Sequence, residues 1–167
     1  RSTVSEWYEC GDSHDEYLPD ESGLTKTESL VNTVTDWFFS NHSSEVKSDY
    51  DTNDDGVLDA VLLIYAAPDY ASLGYSSTSG NTNLWAYCYW ADNAKGTISN
   101  PKPRVFFWAS YDFMYNSSKS YTQTGKTSYG RGNTSHCNID AHTFIHEMGH
   151  VFGLQDYYDY SNQYNQI

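Results

Sequence analysis

The segment that most constrains the fold of this 167-residue chain is the stretch from His146 to Asp156. It contains the pattern His-Glu-x-x-His, in which His146 and His150 are four residues apart. Residues four apart lie on one face of an α-helix, so a helix over residues 142–152 would direct both imidazole rings at one point. Glycine adopts the left-handed conformation that ends many helices, and Gly153 is therefore expected to let the chain leave the helix sharply. The sequence thus predicts a helix that is followed at once by a turn.

The side chains on this helix and turn are those of a catalytic zinc site. Two imidazoles and one carboxylate make a three-ligand set, which leaves the fourth tetrahedral position open for water. The residue after the first ligand is Glu147, whose carboxylate can act on that water as a general base without being a ligand. Asp159 is a weaker candidate for the third ligand than Asp156, and no Glu follows Glu147 that could take this place. The predicted Zn²⁺ ligands are His146, His150 and Asp156.

Apolar spacing and aromatic content predict a mixed helix and sheet fold around this site. From Thr25 to about Lys47 apolar residues recur at helical spacing, and Thr25 with Glu28 matches a capping box at the start. Short apolar or aromatic runs bounded by turns are typical of strands. The predicted strands are Ala60–Ala67, Leu84–Trp90 and Val105–Ala109, and the first of these, which is apolar throughout, is expected to be fully buried. Without an internal repeat or a linker, residues 1–167 are expected to form one α/β (α+β) domain.

Composition and charge exclude several classes of protein. The chain has 9 Lys+Arg against 22 Asp+Glu, which gives a formal net charge of −13. A protein that binds nucleic acid or an anionic membrane needs a basic surface, so neither is an expected partner. No apolar run approaches the roughly 20 residues of a membrane span. Aromatic residues make up 17% of the chain, which indicates a folded domain because disordered segments are poor in them.

The acidic turn before the first predicted strand is a second candidate metal site. Suitable residues stand at positions one, three, five, seven and nine of a calcium-binding loop, with the backbone carbonyl as the ligand at position seven. They are Asp51, Asn53, Asp55, Val57 and Asp59. Position twelve is Leu62 instead of a bidentate Glu, so a complete helix–loop–helix calcium site is excluded. A smaller Ca²⁺ turn and a simple Asp/Asn-Gly turn both remain open.

The zinc motif and its surroundings resemble the immune inhibitor A family of secreted bacterial metallopeptidases. The resemblance rests on Gly149 inside the motif, on Leu154–Asp159 after it, and on the acidic turn that leads into an apolar strand. It covers roughly residue 24 to the end and implies a metzincin-like, zincin-type domain with a twisted mixed sheet. It also implies an extracellular zinc endopeptidase, made with a signal and a propeptide, whose substrate is a protein or peptide.

One departure from this family concerns the end of the chain. Zinc peptidases with this pattern carry a Met-containing turn and a C-terminal subdomain beyond the third ligand. Here the sequence reaches Ile167 eleven residues after Asp156, and its two Met residues are Met114 and Met148. The floor of the active site and the specificity pocket are therefore expected from a further C-terminal segment or from a second chain.

Three functions are consistent with the sequence. The first is zinc-dependent hydrolysis of peptide bonds, with Leu84–Trp90 either as the edge strand that pairs with an extended substrate or as an ordinary core strand. The second is a non-catalytic extracellular module that binds carbohydrate or protein through aromatic residues, with the histidine helix only structural. The third is an inert proteolytic fragment.

Two finer points stay open. Donors to the oxyanion of a hydrolytic reaction are sought among the tyrosines behind the third ligand, although each has a surface or packing role as its alternative. These tyrosines are Tyr157, Tyr158 and Tyr160. The three cysteines allow at most one disulfide, with Cys88–Cys137 preferred in a secreted protein and buried free thiols as the alternative. The third cysteine is Cys10.

Overall fold

The computed structural model of the chain describes residues 2–17, 21–67, 84–91, 95–114 and 141–156. These ranges contain the helices α1 (Glu21–Asn41) and α2 (His142–Val151). The strands are β1 (Val57–Leu58), β2 (Val61–Tyr65), β3 (Tyr87–Trp90), β4 (Lys102–Pro103) and β5 (Val105–Ser110). The fold is therefore mixed helix and sheet, as predicted. Neither helix in this part of the chain combines the length and the apolar character needed to cross a bilayer.

A mixed three-stranded sheet in the order β2–β5–β3 forms the centre of the described fold. Strand β5 runs parallel to β2 and antiparallel to β3. Strands β1 and β4 form a separate short parallel pair, with Val57 opposite Lys102. Within the ranges given above, β2 and β3 are therefore the two edges of the central sheet.

The central strand β5 is buried on both faces because its side chains alternate between two helices. Phe106 and Trp108 pack in a core cluster that includes Val31 of α1. Phe107 belongs to a second cluster on the opposite face, where its ring centroid lies 5.0 Å from that of Phe144 in α2. Successive side chains of a strand point to opposite faces of a sheet. The sheet thus lies between α1 and α2, and the packing of Phe144 fixes α2 against it.

Helix α1 begins four residues before Thr25 and ends about six residues before the predicted limit. Thr25 lies inside the helix, so the predicted capping box with Glu28 is wrong. Polar side chains inside this helix bond back to carbonyls one turn earlier, as when the Thr35 hydroxyl donates to the Val31 carbonyl at 2.7 Å. Because such bonds satisfy a hydroxyl within the helix, Thr and Ser residues neither begin nor interrupt it here.

The predicted strands and the second helix are confirmed in position, but one prediction of burial is wrong. The run Ala60–Ala67 contains β2, yet Leu62 is 46% exposed because β2 is an edge of the described sheet. The helix predicted over residues 142–152 is α2, which ends one residue earlier. The sequence pattern predicted these strands and this helix. The position of a strand in the sheet depends in addition on which other strands it pairs with.

Candidate metal centre

The end of α2 turns the chain back towards its two histidines. Gly153 has a φ of +83°, and its N–H donates to the carbonyl of His150 at 2.8 Å. The N–H of Leu154 donates to the carbonyl of Gly149 at 3.0 Å. These two bonds make a Schellman motif, in which glycine adopts the positive φ without strain. The turn predicted from Gly153 is confirmed, and it brings Asp156 beside the helix.

Three potential ligand atoms meet beside α2. The Nε2 atoms of His146 and His150 are 3.2 Å apart. Oδ1 of Asp156 lies 3.1 Å from Nε2 of His146 and 3.2 Å from Nε2 of His150. Ligand atoms at about 2.0–2.1 Å from a tetrahedral metal are about 3.3 Å from one another. The three predicted ligands are thus brought together at the spacing of one tetrahedral face, and they fit a metal ion.

Glu147 offers an alternative third ligand. The ligand atoms of His146, Glu147 and His150 all lie within 4.8 Å of one another, so this group could hold a metal ion. The Asp156 oxygen lies 3.1 and 3.2 Å from the two imidazole nitrogens, the spacing of ligands on one tetrahedral ion. The choice between Asp156 and Glu147 as the third ligand therefore stays a prediction from the sequence, and the spacing of Asp156 is consistent with it.

The hydrogen bond of His150 fixes which ring nitrogen carries its proton. Nδ1 lies 2.7 Å from the Leu154 carbonyl oxygen, and a carbonyl can only accept, so Nδ1 donates. A neutral ring then presents an unprotonated Nε2 towards Asp156. Two acceptor atoms 3.2 Å apart repel each other unless a cation lies between them or the ring takes a second proton. The Leu154 carbonyl, and after it the charge of Asp156, raise the pKa of His150 despite desolvation.

Glu147 is held by the sheet as well as by its own helix. The residue is buried, with 8% exposed. Burial raises the pKa of its carboxyl, and this effect outweighs the charges of His146 and His150 and a hydrogen bond from the backbone N–H of Cys88, which lower it. A carboxylate whose pKa is raised towards neutrality is better suited to act as a general base at neutral pH. The environment of Glu147 therefore fits the role predicted for it.

The site opens into a cleft between α2 and the edge strand β3. Glu147 lines this cleft together with the three candidate ligands. Its other walls include the side chains of Trp85, Trp90 and Phe113. The carboxylate and imidazole groups are therefore accessible from one open groove that runs beside β3, an edge strand of the described sheet.

The predicted calcium turn is organised by its own backbone. Asp51 is 2% exposed, and its two carboxylate oxygens accept the N–H groups of Asp55 at 3.1 Å and Gly56 at 2.8 Å. The other predicted ligands are the exposed Asn53, Asp55 and Asp59 and the half-buried Val57. Among the residues whose positions are given, the carboxylates of this turn do not form a group close enough to share an ion. Calcium binding by these five residues stays a prediction.

The cysteines differ from the preferred prediction. Cys10 and Cys88 are free thiols, so the structure does not form the expected Cys88–Cys137 disulfide. The Cys88 side chain lines the cleft instead, where burial and the nearby Glu147 carboxylate raise the pKa of its thiol to about 11. Other predictions fall outside the described residues. These concern Cys137, Asp159, Tyr157, Tyr158 and Tyr160.

Two contacts that shape the site come from backbone groups. They are the Leu154 carbonyl, which orients His150, and the Cys88 N–H, which bonds to Glu147. Every residue carries such groups, so no residue type marks them in a sequence. The Schellman turn after α2 is the only signal for the first contact, and the second depends on how α2 packs against β3.

Comparison with known proteins identified no relative of this chain. No protein-family model, curated protein or solved structure matches the chain. The resemblance to the immune inhibitor A family therefore stays a prediction that depends on the motif residues themselves. A function for this chain has to be proposed from the atoms of the cleft.

Proposed function

We propose that this chain is the catalytic domain of a secreted, zincin-type zinc endopeptidase. The observation that carries the proposal is the triangle formed by His146 Nε2, His150 Nε2 and Asp156 Oδ1, with edges of 3.1–3.2 Å, beside the buried Glu147. Two imidazoles and one carboxylate are the ligand set of catalytic zinc sites, which keep one position open. Calcium and magnesium require more oxygen ligands than this centre offers, so its nitrogen donors favour zinc.

Glu147 is the proton carrier in the proposed reaction. A bound zinc ion would polarise a carbonyl oxygen and lower the pKa of water towards neutrality. Glu147 accepts a proton from the attacking water as the water oxygen bonds to the peptide carbonyl carbon. It then donates this proton to the amide nitrogen as the C–N bond breaks. Burial raises the pKa of Glu147 above its usual range, which makes the carboxylate a stronger base for the first step.

The open edge of β3 supports a peptide as the substrate. The N–H of Ala91 donates to the Arg104 carbonyl on the β5 side at 2.9 Å. Backbone direction alternates along an antiparallel strand, so the N–H and C=O groups of Cys88 and Trp90 face the open edge. An extended peptide can pair with such an edge, which would bring one of its bonds next to Glu147.

A non-catalytic binding module is the second candidate, because exposed aromatic side chains line the cleft. This function would explain Trp85 and Trp90. It would not explain Glu147, since burying a carboxylate is unfavourable and a binding module has no need of a base there. Metal analysis separates the two functions: absence of zinc from a protein with intact histidines would favour the binding module.

The proposal is tested on the full-length protein by metal analysis and peptide hydrolysis. Wild type and Glu147→Gln are both expected to bind about one zinc ion, whereas the variant should lose about 10²–10⁴-fold in kcat. A chelator should abolish hydrolysis by the wild type, and added zinc should restore it. Glu9→Gln, an exposed position in the N-terminal segment, is the matched control and should keep full activity. Hydrolysis that survives both chelation and Glu147→Gln would refute the proposal.

A further inference from the structure

We infer that the cleft selects peptides with large apolar side chains on both sides of the cleaved bond, through Trp85 and Trp90. This inference rests on the proposed peptidase function and adds the class of substrate. Both indoles line the same cleft as Glu147, yet Trp85 is 37% exposed and Trp90 is 45% exposed. Exposed aromatic surface that borders a polar site marks a binding surface rather than a core.

The two tryptophans precede and follow Cys88, which lines the cleft together with Glu147. Helix α2 packs against β3, and the backbone N–H of Cys88 lowers the pKa of the Glu147 carboxyl, so this residue of β3 is next to Glu147. Trp90 comes two residues after Cys88, and Trp85 comes three residues before it. A strand rises about 3.3 Å per residue, so the two backbone positions are at most about 17 Å apart. That length corresponds to about five residues of an extended substrate, with the cleaved bond between the two indoles.

The residues that contact Trp85 and pair with Trp90 hold the two indoles in place, which favours recognition by a rigid aromatic surface. The ring centroid of Trp85 lies 5.3 Å from that of Tyr87, which is buried in the core cluster on the α1 side. Trp90 is held at the end of β3, where its backbone is paired with Val105. Rigid aromatic side chains lose little conformational entropy on binding and provide a large contact area.

The cleft offers no side chain that would pair with an acidic substrate. No Lys or Arg is among the described residues that line it. An Asp or Glu side chain packed against the indoles would therefore lose its hydration without a cationic side chain as its partner. Phe113 adds a third aromatic wall. The indoles, together with this lack of cationic side chains, favour Phe, Tyr, Leu or Met beside the cleaved bond.

Binding is measured separately from hydrolysis, on the full chain that carries Glu147→Gln and zinc. The probes are fluorescent hexapeptides with blocked ends that differ only in one residue on one side of the central bond, as Phe, Ala, Asp or Lys. Fluorescence anisotropy should show that Phe binds about tenfold more tightly than Ala, and that Asp binds more weakly than Ala. Added to Glu147→Gln, Trp85→Ala should remove the preference for Phe on one side of the bond, and Trp90→Ala should remove it on the other. Trp7→Ala, 65% exposed outside the cleft, is the control and should keep both preferences.

Equal binding of the Phe and Ala peptides would overturn the inference, and so would binding of the Asp or Lys peptide that is tighter than that of the Phe peptide. A preference for Phe that both Trp85→Ala and Trp90→Ala retain would overturn it as well. Trp85→Leu and Trp90→Leu keep apolar volume, replace any Ala variant that does not fold, and should lower the preference as well. A Trp-dependent preference for Phe without hydrolysis by the wild type would overturn the peptidase and retain the two subsites. Hydrolysis without this preference would retain the peptidase and overturn the subsites.

Discussion

The candidate metal centre and the acidic turn of residues 51–59 both concentrate carboxylates, but these carboxylates face different groups. In the metal centre, Oδ1 of Asp156 faces two imidazole nitrogens at 3.1 and 3.2 Å. In the turn, the oxygens of Asp51 accept the N–H groups of Asp55 and Gly56. The first arrangement needs a cation or a proton, whereas the chain itself satisfies the second. A metal site is thus recognised by what its acceptor atoms face rather than by how many acidic residues it contains.

Removing one imidazole should have the largest effect of the changes considered, because it removes a ligand from the metal centre and lowers its affinity for zinc. Protein zinc sites bind with about 10–16 kcal/mol, so one ligand contributes about 3 kcal/mol and its loss weakens zinc binding more than a hundredfold. We expect this loss in His150→Ala, measured by competition with a chromophoric chelator. His142→Ala changes a histidine one turn further from the centre on the same helix and should retain zinc affinity. Equal losses in both variants would contradict the three-ligand centre.

The ligands of this centre could be predicted because helical geometry fixes residues four apart on one face. His146 and His150 needed only a helix, and Gly153 marked the turn that returns Asp156. The groups that tune the centre could not be predicted, because they are a backbone carbonyl and a backbone N–H. The carbonyl of Leu154 reaches His150 through the local turn, whereas the N–H of Cys88 acts on Glu147 through the packing of α2 against β3, which joins residues distant in the sequence.

The strands could be predicted from their aromatic and apolar content, but their order could not. Nothing local shows that β5 pairs with both β2 and β3, because strand pairing depends on long-range packing. The exposed Leu62 follows from this: a fully apolar run was expected in the interior and instead forms an edge of the described sheet. Helix α1 begins before its apolar pattern, at Glu21, and the Thr27 hydroxyl is satisfied inside it by the carbonyl of Gly23.

Removing Asp51 should have the next largest effect and tests the turn side of the comparison. Asp51→Ala leaves two backbone N–H groups without their charged acceptor, and such bonds each contribute about 1.5–3 kcal/mol. We expect the free energy of unfolding to fall in urea denaturation by about 2–4 kcal/mol, less than the sum of about 3–6 kcal/mol, because water can reach the N–H of the exposed Asp55. Asp54→Asn, at an exposed position with a φ of +57° that Asn tolerates, should change it by less than about 0.5 kcal/mol. Similar stabilities for the two variants would mean that the amide bonds of Asp51 do not hold the turn.

Calcium should have a smaller effect, because the turn keeps its shape through its own hydrogen bonds. If the five predicted residues bind calcium, a concentration ten times the Kd stabilises the fold by about 1.4 kcal/mol. Thermal melting with calcium and with magnesium measures this gain. Asp55→Asn retains the Oδ1 acceptor for the Val57 N–H but loses the charge, and it should abolish the gain. A wild type whose Tm does not respond to calcium would leave a simple Asp/Asn-Gly turn.

Asp36 of α1 shows a third way to satisfy a carboxylate, by pairing with two lysines. Its oxygens accept hydrogen bonds from Lys47 and, at 3.3 Å, from Lys102. Burial alone would raise the pKa of Asp36, but these two lysines outweigh burial and lower it. Because the side chain is 51% exposed, solvent screening should limit its contribution to about 1 kcal/mol or less.

The pH dependence of Asp36 separates its charge from its packing and gives the smallest expected effect. Its pKa is lower in the folded than in the unfolded state, so the stabilisation is present above the unfolded pKa, near 4, and is lost as the pH falls through the folded pKa. Asp36→Asn should be less stable than wild type by up to about 1 kcal/mol at neutral pH, and this difference should decrease as the pH falls through the folded pKa and shrink in high salt. A difference that persisted at low pH and high salt would mean that packing stabilises this position. The contrast with Asp51, whose acceptors face neutral amides and are therefore little affected by salt, would then disappear.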